Sequence, residues 1–291
     1  TTGTNNTLIG GLAGDSITTG DHNVGLGTSV LNTNTLGNKN VAIGSSALGD
    51  FNVGTDTDTY NTAVGHAAGT SMSTGVQNTL IGGLAGDALT DADHNVAVGT
   101  YALSTDTLGS KSTALGYDAL GAQNHTTASD TFSTAVGYKA GSEITTAGKN
   151  TLIGGAAGDA LTDADYNVAI GKGALSADTL GSTAVAIGLG SLQNQNFTTA
   201  TNNYNTAVGY GSGSEITTGI KNTLIGGLAG DALTVASYNV AVGYGALSTE
   251  DLRGRAVAIG YNALTAQDAG ADTYNVAVGY AAGTAITTGI N

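Results

Sequence analysis

One short motif recurs along the whole sequence. "GGLAGDALTDADHNVAVG" at 82–99 returns as "GGAAGDALTDADYNVAIG" at 154–171 and as "GGLAGDALTVASYNVAVG" at 226–243. Self-similarity at a fixed period is the signature of repeat architectures, in which each unit buries its apolar side chains against its neighbours. The sequence therefore predicts a periodic array rather than a fold built around one unique site.

The core unit is [N/S/A]-[T/V]-[A/L/G]-[V/I/L]-G, and it ends on a glycine. The steps from one closing glycine to the next are 17, 17, 21 and 17, three times over, and then 17, 17 and 19. Four units make a super-repeat, so we predict one repeat array over 1–291, with super-repeats at approximately 1–72, 73–144, 145–216 and 217–291. The 16 closing glycines are Gly10, Gly27, Gly44, Gly65, Gly82, Gly99, Gly116, Gly137, Gly154, Gly171, Gly188, Gly209, Gly226, Gly243, Gly260 and Gly279.

Each unit has the composition of a β-strand. It is rich in Val, Ile and Thr and lies between Gly, Asn, Asp and Thr residues, and no stretch offers the ten or more Gly-free periodic residues of a helix. A second apolar pair, Ala-Leu or Ala-Gly, follows about three residues later. We predict an all-β fold, a β-solenoid of about 16 coils of 17–21 residues, each with two short strands joined by turns.

Both faces of the predicted strand are apolar. In "NVAVG" (95–99), Val96 and Val98 share one face and Ala97 takes the other. A strand that is apolar on both faces is buried on both, and a single solenoid covers only its inner face. We expect the branched side chains to fill the coil and the alanine face to lie between chains.

Composition and charge exclude several classes of function. The net charge is −14, which disfavours binding to nucleic acid or to an anionic membrane, and no run of about 18 apolar residues predicts a membrane span. The chain has no cysteine, so thiol chemistry and disulfides are absent. Because every candidate acid is a copy of another, whereas active sites are singular, we expect no enzymatic activity and no cofactor.

The motifs "STAVGYKAG" (133–141), "NVAIGSSAL" (40–48) and "AVAIGYNAL" (256–264) resemble the head repeats of YadA-like trimeric autotransporter adhesins and the repeat arrays of bacteriophage tail fibres. The resemblance covers essentially the whole chain. It implies an extracellular homotrimer in which each chain is a left-handed parallel β-roll around a shared axis. Sixteen coils at roughly 4.8 Å would give a shaft of about 77 Å.

Two functions follow from that resemblance as expectations. The first is a structural fibre segment, such as a phage tail-fibre shaft. The alternative is an adhesin head that itself binds a host or matrix receptor, such as a cell-surface carbohydrate. The chain begins and ends at the same phase of the super-repeat, which favours a window of a longer array over subunits joined end to end in a filament. Ice binding is disfavoured because Thr alternates with Val between units.

Four longer connectors precede the fourth unit of each super-repeat, at 49–60, 121–132, 193–204 and 265–274. Loops protrude and vary, so the connectors are the places where a receptor could be contacted. Phe51, His125 and Phe197 are the candidate receptor-loop residues. The alternative is that the connectors have no binding role, or that they form contacts between chains.

Metal sites are not predicted. "GGLAGDALT" is similar to the calcium-binding nonapeptide, but its Asp recurs only once per super-repeat, as Asp15, Asp87, Asp159 and Asp231. We expect these to be solvated turn residues. The four histidines, which are His22, His66, His94 and His125, have no repeated second ligand, so zinc is not expected.

The position before each unit carries large side chains, and it holds five of the eight basic residues. We expect these side chains to line the solvent edge beside the strand and to form inter-chain pairs with nearby aspartates, with ligand binding as the alternative. The five are Lys39, Lys111, Lys149, Lys221 and Arg255.

Overall fold

The computed structural model describes residues 2–250, 252, 254–269 and 271–289, and these residues contain strands and turns but no helix. The chain divides into two compact units, Thr1–Gly148 and Lys149–Asn291. Each unit winds as a parallel β-solenoid of eight coils. The prediction of an all-β solenoid with about 16 coils is confirmed.

The first unit has one strand of three residues in every coil, plus two pairs of two-residue strands. The longer strands form one parallel sheet in the order β1-β2-β4-β6-β7-β8-β10-β12, and β3 pairs with β5 and β9 with β11. The strands are β1 (Thr7–Ile9), β2 (Val24–Leu26), β3 (Gly37–Asn38), β4 (Val41–Ile43), β5 (Thr57–Asp58), β6 (Thr62–Val64), β7 (Thr79–Ile81), β8 (Val96–Val98), β9 (Gly109–Ser110), β10 (Thr113–Leu115), β11 (Ser129–Asp130) and β12 (Thr134–Val136).

The second unit repeats this plan with one pair of two-residue strands, β15 and β17. Its longer strands form a parallel sheet in the order β13-β14-β16-β18-β19-β20-β21-β22. The strands are β13 (Thr151–Ile153), β14 (Val168–Ile170), β15 (Gly181–Ser182), β16 (Val185–Ile187), β17 (Thr201–Asn202), β18 (Thr206–Val208), β19 (Thr223–Ile225), β20 (Val240–Val242), β21 (Val257–Ile259) and β22 (Val276–Val278).

Equivalent positions of the core unit pair with one another in each sheet. In β4 and β6, for example, Ala42 lies opposite Ala63. The closing glycine is required where each strand ends, because its φ is positive and the next coil is very close. At Gly82, φ is 138°, and a Cβ would lie 2.5 Å from the carbonyl oxygen of Gly99.

The second apolar pair lies in a turn rather than in a strand, so the prediction of two strands in every coil is wrong. The turn alternates right- and left-handed backbone, and Leu48 and Leu103 sit in it with φ of 50° and 53°. Both leucine side chains are fully buried. A left-handed conformation is costly for a non-glycine residue, and burial of the leucine offsets that cost.

The two faces of the strand are the reverse of what the sequence predicted. Ala63 and Ala97, in the middle of β6 and β8, point into the coil and are 0% exposed. The flanking branched residues point outward, and Val96 and Ile81 are each 38% exposed. The coil is narrow, so alanine fills most middle positions, and a leucine such as Leu80 does so once per super-repeat.

A ladder of buried asparagines runs inside the coils, directly before the strands. The Oδ1 of each asparagine accepts the backbone N–H of the equivalent residue in the next coil, as Asn23 does from Asn40 at 3.0 Å. The Nδ2 donates to a carbonyl 14 residues ahead, as Asn61 does to Gly75 at 2.8 Å. Most of the asparagines thus close their own coil and join it to the next, and buried backbone groups find partners. Asn40 is an exception, because its Nδ2 donates to the Asn38 carbonyl at 3.2 Å and to the Asn23 Oδ1 at 3.1 Å.

The ladder position does not always hold an asparagine, and one of the exceptions shows how the chain supplies a substitute. Ala184 occupies a ladder position and has no side-chain amide. The N–H of Asn205, in the next coil, donates instead to the Oδ1 of Asn203 at 2.9 Å, and Asn203 Nδ2 donates to the Ser182 carbonyl at 2.8 Å. The N–H of Asn205 therefore still has a side-chain acceptor, although position 184 does not hold an asparagine.

Candidate interaction surface

The outward strand face of each unit is uncharged and mostly apolar, with threonine as its polar residue. It is formed by the first and third residues of every three-residue strand, which are Thr or Val and then Val, Ile or Leu. Leu115 in β10 is 43% exposed and Ile225 in β19 is 41% exposed. Because the strands pair in register, these side chains form two continuous rows along each unit. Exposed apolar patches of this kind mark interaction sites.

A column of aromatic and cationic side chains borders this face on one side. Its members precede the ladder residue and have φ between 50° and 68°. Lys39 Nζ lies 5.1 Å from the ring centroid of Tyr60 and 2.5 Å from Asp58 Oδ2. Arg255 lies over Tyr238 at 4.9 Å and pairs with Asp272 at 2.8 Å.

The expected position of the basic residues at the solvent edge is confirmed. The aspartates were expected to come from another chain, but the structure places the partners of Lys39, Lys111 and Arg255 within the same chain. The pKa of Lys39 is raised, first by its hydrogen bond to Asp58 and then by that to Tyr60. The carboxyl group of Asp58 has a lowered pKa because of its hydrogen bond to Lys39. These groups are exposed, so the pairs set the local arrangement of the edge more than its stability.

A tyrosine column borders the other side, on the residue that follows the closing glycine. Tyr117 and Tyr138 stack with ring centroids 5.5 Å apart in the first unit. Tyr261 stacks between Tyr244 and Tyr280, at 5.7 and 5.3 Å, in the second. All of these stacked tyrosines are exposed, so they extend the uncharged surface beside the strands.

The three candidate receptor-loop residues lie inside the protein. Phe51, His125 and Phe197 are 0%, 8% and 6% exposed. The expectation that they present themselves to a receptor is therefore wrong. In the connectors that contain these three residues, the longest runs of consecutive exposed residues lie at 54–56, 126–128 and 198–200.

A buried carboxylate binds the connector 193–204 in the second unit. Asp178 Oδ1 accepts the N–H groups of Gly181 and Phe197, both at 3.0 Å, and its Oδ2 accepts from Gln195 Nε2 at 2.6 Å. The Oε1 of Gln195 accepts from Asn205 of the ladder at 2.8 Å. Burial raises the pKa of Asp178 more than these hydrogen bonds lower it.

The first unit has an equivalent carboxylate with a different neighbour. Asp106 Oδ1 accepts from Gly109 N–H at 3.1 Å and from the His125 N–H at 2.9 Å, and Oδ2 accepts from Gln123 at 2.6 Å. The His125 Nδ1 lies 3.6 Å from Asp106 Oδ2. Burial alone would raise the pKa of Asp106, but His125 and Gln123 outweigh it and the pKa is lowered.

Neither of these networks came from the sequence analysis, although a signal was present. One position of the super-repeat holds, in turn, Asn34, Asp106, Asp178 and Glu250. The equivalent position one coil later holds Phe51, Gln123, Gln195 and Gln267. A glutamine thus follows each of the three acids, and a phenylalanine follows the one asparagine. The acid and the glutamine change together because they bond to each other.

The repeated turn aspartates range from exposed to half-buried. Asp15 is exposed, whereas Asp87 and Asp231 are half-buried and have pKa values raised by that burial. Among the described residues, no group of three or more His, Cys, Asp or Glu side chains is placed to hold a metal ion. That part of the chain also has no helix with the length and apolarity needed to cross a bilayer.

No protein-family model matches the chain, and neither the curated proteins nor the solved structures contain a significant match.

Proposed function

We propose that the chain is a structural, non-enzymatic segment of an extracellular fibre, such as a phage tail-fibre shaft, in which three copies pack through their outward strand faces. The aromatic, cationic and tyrosine columns border the contacts between copies. The function of such a segment is mechanical: it holds a terminal receptor-binding part away from the particle or cell that carries it.

The single observation that carries the proposal is the outward strand face itself. The third residue of each three-residue strand is Val, Ile or Leu, the first is Val or Thr, and neither row contains a charged residue. Residues such as Ile81, Ile225 and Leu115 are well exposed in the isolated chain. Exposed apolar rows invite association, and a partner that follows rows recurring at every coil needs the same spacing between coils. A copy of the chain has that spacing.

The glycines that follow some closing glycines also support the proposal. Gly11, Gly83 and Gly155 have ordinary φ, and a Cβ at each would meet no atom within 4 Å. Nothing within the chain therefore requires glycine there. A close approach by the backbone of another copy would explain why the residue stays small at these three positions. At the fourth, Gly227, a Cβ would already lie 3.3 Å from the ring of Tyr244.

The oligomeric state tests the proposal directly. We expect native mass spectrometry and analytical ultracentrifugation of the intact chain to give a trimer at micromolar concentration. Ile81→Lys places a charge on the outward face and should shift the mass towards the monomer, while far-ultraviolet circular dichroism keeps its β signature. Thr127→Lys, at an exposed connector position, is the matched control and should leave the trimer intact.

Two results would contradict the proposal. One is a parent protein that stays monomeric at high micromolar concentration. The other is a trimer that tolerates Ile81→Lys as well as it tolerates Thr127→Lys, because the contact would then lie on another surface.

For the adhesin alternative, the candidate contact positions are the exposed connector residues at 54–56, 126–128 and 198–200. These residues are polar or small, and they are the parts of the connectors that a glycan could contact. Replacing Thr126 and Thr127 by alanine, together with Thr198 and Thr199, keeps the buried anchors in place. Loss of binding to cells or to a glycan array with an unchanged trimer would favour the adhesin, and unchanged binding would favour the shaft.

A further inference from the structure

His125 differs from the other three histidines in its surroundings. His22, His66 and His94 are exposed, whereas His125 is 8% exposed and lies in the connector 121–132. The connector is joined to the neighbouring coils on both sides. The Leu108 N–H donates to the His125 carbonyl at 3.1 Å, and the Asn124 N–H donates to the Thr145 carbonyl at 2.8 Å.

Both ring nitrogens of His125 face oxygen atoms. The Nε2 lies 3.0 Å from the carbonyl oxygen of Thr146, and a carbonyl only accepts, so Nε2 carries a proton. The Nδ1 lies 3.6 Å from Oδ2 of Asp106, whose side chain is 0% exposed. A proton on Nδ1 would place a positive charge beside the buried carboxylate, and the two groups would attract each other. Without that proton, the lone pair of Nδ1 would face the carboxylate, and the two would repel each other.

We propose that His125 is an imidazolium in the folded chain, paired with Asp106, and that its second proton fastens the 121–132 connector to the coils on either side. The connector is then held in a window of pH. It loosens as the pH rises and Nδ1 loses its proton, and it loosens again in acid, where Asp106 becomes protonated.

The chain contains its own comparison. Phe197 takes the place of His125 in the equivalent connector, 193–204, beside the equally buried Asp178. That connector has the same backbone hydrogen bonds but no imidazole. A neighbouring imidazolium stabilises the ionised carboxylate and so lowers its pKa. The pKa of Asp106, beside His125, is lowered, whereas that of Asp178, beside Phe197, is raised.

Asp106 is the charged side chain that His125 faces. The other charged groups on the adjoining coils point elsewhere: Lys111 pairs with Asp130 at the surface at 2.5 Å, and Glu143 of the following coil is exposed. Proton exchange at His125 therefore acts mainly through Asp106.

Hydrogen exchange of the intact chain tests the proposal. Between about pH 5 and pH 8, where an imidazole changes charge, we expect the protection of connector 121–132 to fall by about tenfold or more after correction for the intrinsic rate. Connector 193–204 should keep its protection over the same range. Equal behaviour of the two connectors would overturn the proposal.

The variant His125→Phe installs the residue that the chain already uses at the equivalent place. We expect it to remove the pH dependence of connector 121–132 and to leave that of connector 193–204 as it was. His66→Phe, at an exposed histidine, is the control and should change neither. A pH-dependent connector in the His125→Phe protein would assign the effect to another group.

A direct reading of the ring requires no variant. Histidine-selective ¹⁵N labelling reports the protonation of each ring nitrogen, and near pH 6 we expect both nitrogens of His125 to be protonated. A spectrum of the neutral Nε2–H tautomer at that pH, with the connector still protected, would overturn the proposal.

Discussion

The backbone N–H of Asn78 donates to the side-chain Oδ1 of Asn61, in the preceding coil, at 2.9 Å. Asn78 repeats the arrangement one coil on, because its own Oδ1 accepts the N–H of Asn95 at 2.9 Å. Its Nδ2 donates to the carbonyl of Ala92 at 2.7 Å. One buried side chain therefore satisfies backbone groups in two coils.

Asn78→Ala should destabilise the protein by about 2–4 kcal/mol, because it leaves the Asn95 N–H and the Ala92 carbonyl buried without these partners. Chemical denaturation measures the change. Asn194→Ala is the control, since Asn194 is exposed and donates to Glu215 at 3.0 Å. We expect a change of less than about 0.5 kcal/mol there. Similar losses for the two variants would mean that the ladder is not a main support of the fold.

Leu80→Ala and Ile81→Ala, at adjacent positions of β7, separate the two faces of the strand. Leu80 is fully buried, so its truncation should cost about 2–5 kcal/mol. Ile81 faces outward, and in protein diluted to the monomer its truncation should cost less than about 1 kcal/mol. A larger loss for Ile81→Ala than for Leu80→Ala would instead support the arrangement expected from the sequence, with the flanking branched residues inside the coil.

The adjacent glycines Gly82 and Gly83 should respond very differently to alanine. At Gly82 a Cβ would collide with the Gly99 carbonyl, so Gly82→Ala should cost more than about 3 kcal/mol, seen as a lower thermal midpoint. At Gly83 the same change meets open space, and the stability of the monomer should stay within about 0.5 kcal/mol of the parent. A tolerated Gly82→Ala would contradict the close stacking of the coils.

Asp106 and Asp178 should contribute to stability with opposite dependence on pH. The raised pKa of Asp178 means that its contribution is full below the unfolded-state pKa of about 3.9 and is lost as the pH rises through the folded pKa. The lowered pKa of Asp106 means that its contribution is present above about pH 3.9 and is lost as the pH falls through the folded pKa.

Replacing each acid by asparagine removes its titration. As the pH is raised from about 3 to 5, below the range in which an imidazole changes charge, Asp178→Asn should gain stability relative to the parent and Asp106→Asn should lose it. Denaturation midpoints across that range give the two slopes, whatever constant offset each substitution adds. Slopes of the same sign would show that the two buried carboxylates are not in different electrostatic surroundings.

The sequence predicts the coil well because the glycine that ends each core unit is required by the structure. Each closing glycine, such as Gly65, has a positive φ and a carbonyl of the next coil against its α-carbon, so only glycine fits and the period is visible as letters. The parallel register follows from the same period. Hydropathy could not decide which face of the strand lies inside, because Ala63 and the flanking Thr62 and Val64 are all compatible with burial. The width of the coil decides which face lies inside, and that width cannot be inferred from the sequence.

The asparagine ladder and the buried connectors were missed for one reason. A polar residue such as Asn61, or a loop containing His125, is usually assigned to solvent when only its own type is considered. Their burial depends on partners one coil away along the chain, among them the Asn78 N–H and the Thr146 carbonyl. The available signal was recurrence: a polar residue that returns at the period of the coil can bond to its own copy.

The ladder also sets the increment by which this molecule can change in length. Excising one whole coil would bring an asparagine-bearing coil against another one, and Asn61 could bond to Asn95 as it now does to Asn78. Excising one residue from within a core unit would turn the rest of that strand to the opposite face, which exposes its alanine and forces a branched side chain into a space too small for it. Length differences between coils, with steps of 17, 19 and 21 residues, fall in the connectors and leave the strands in register. Excision of a whole coil therefore keeps both the ladder and the strand register.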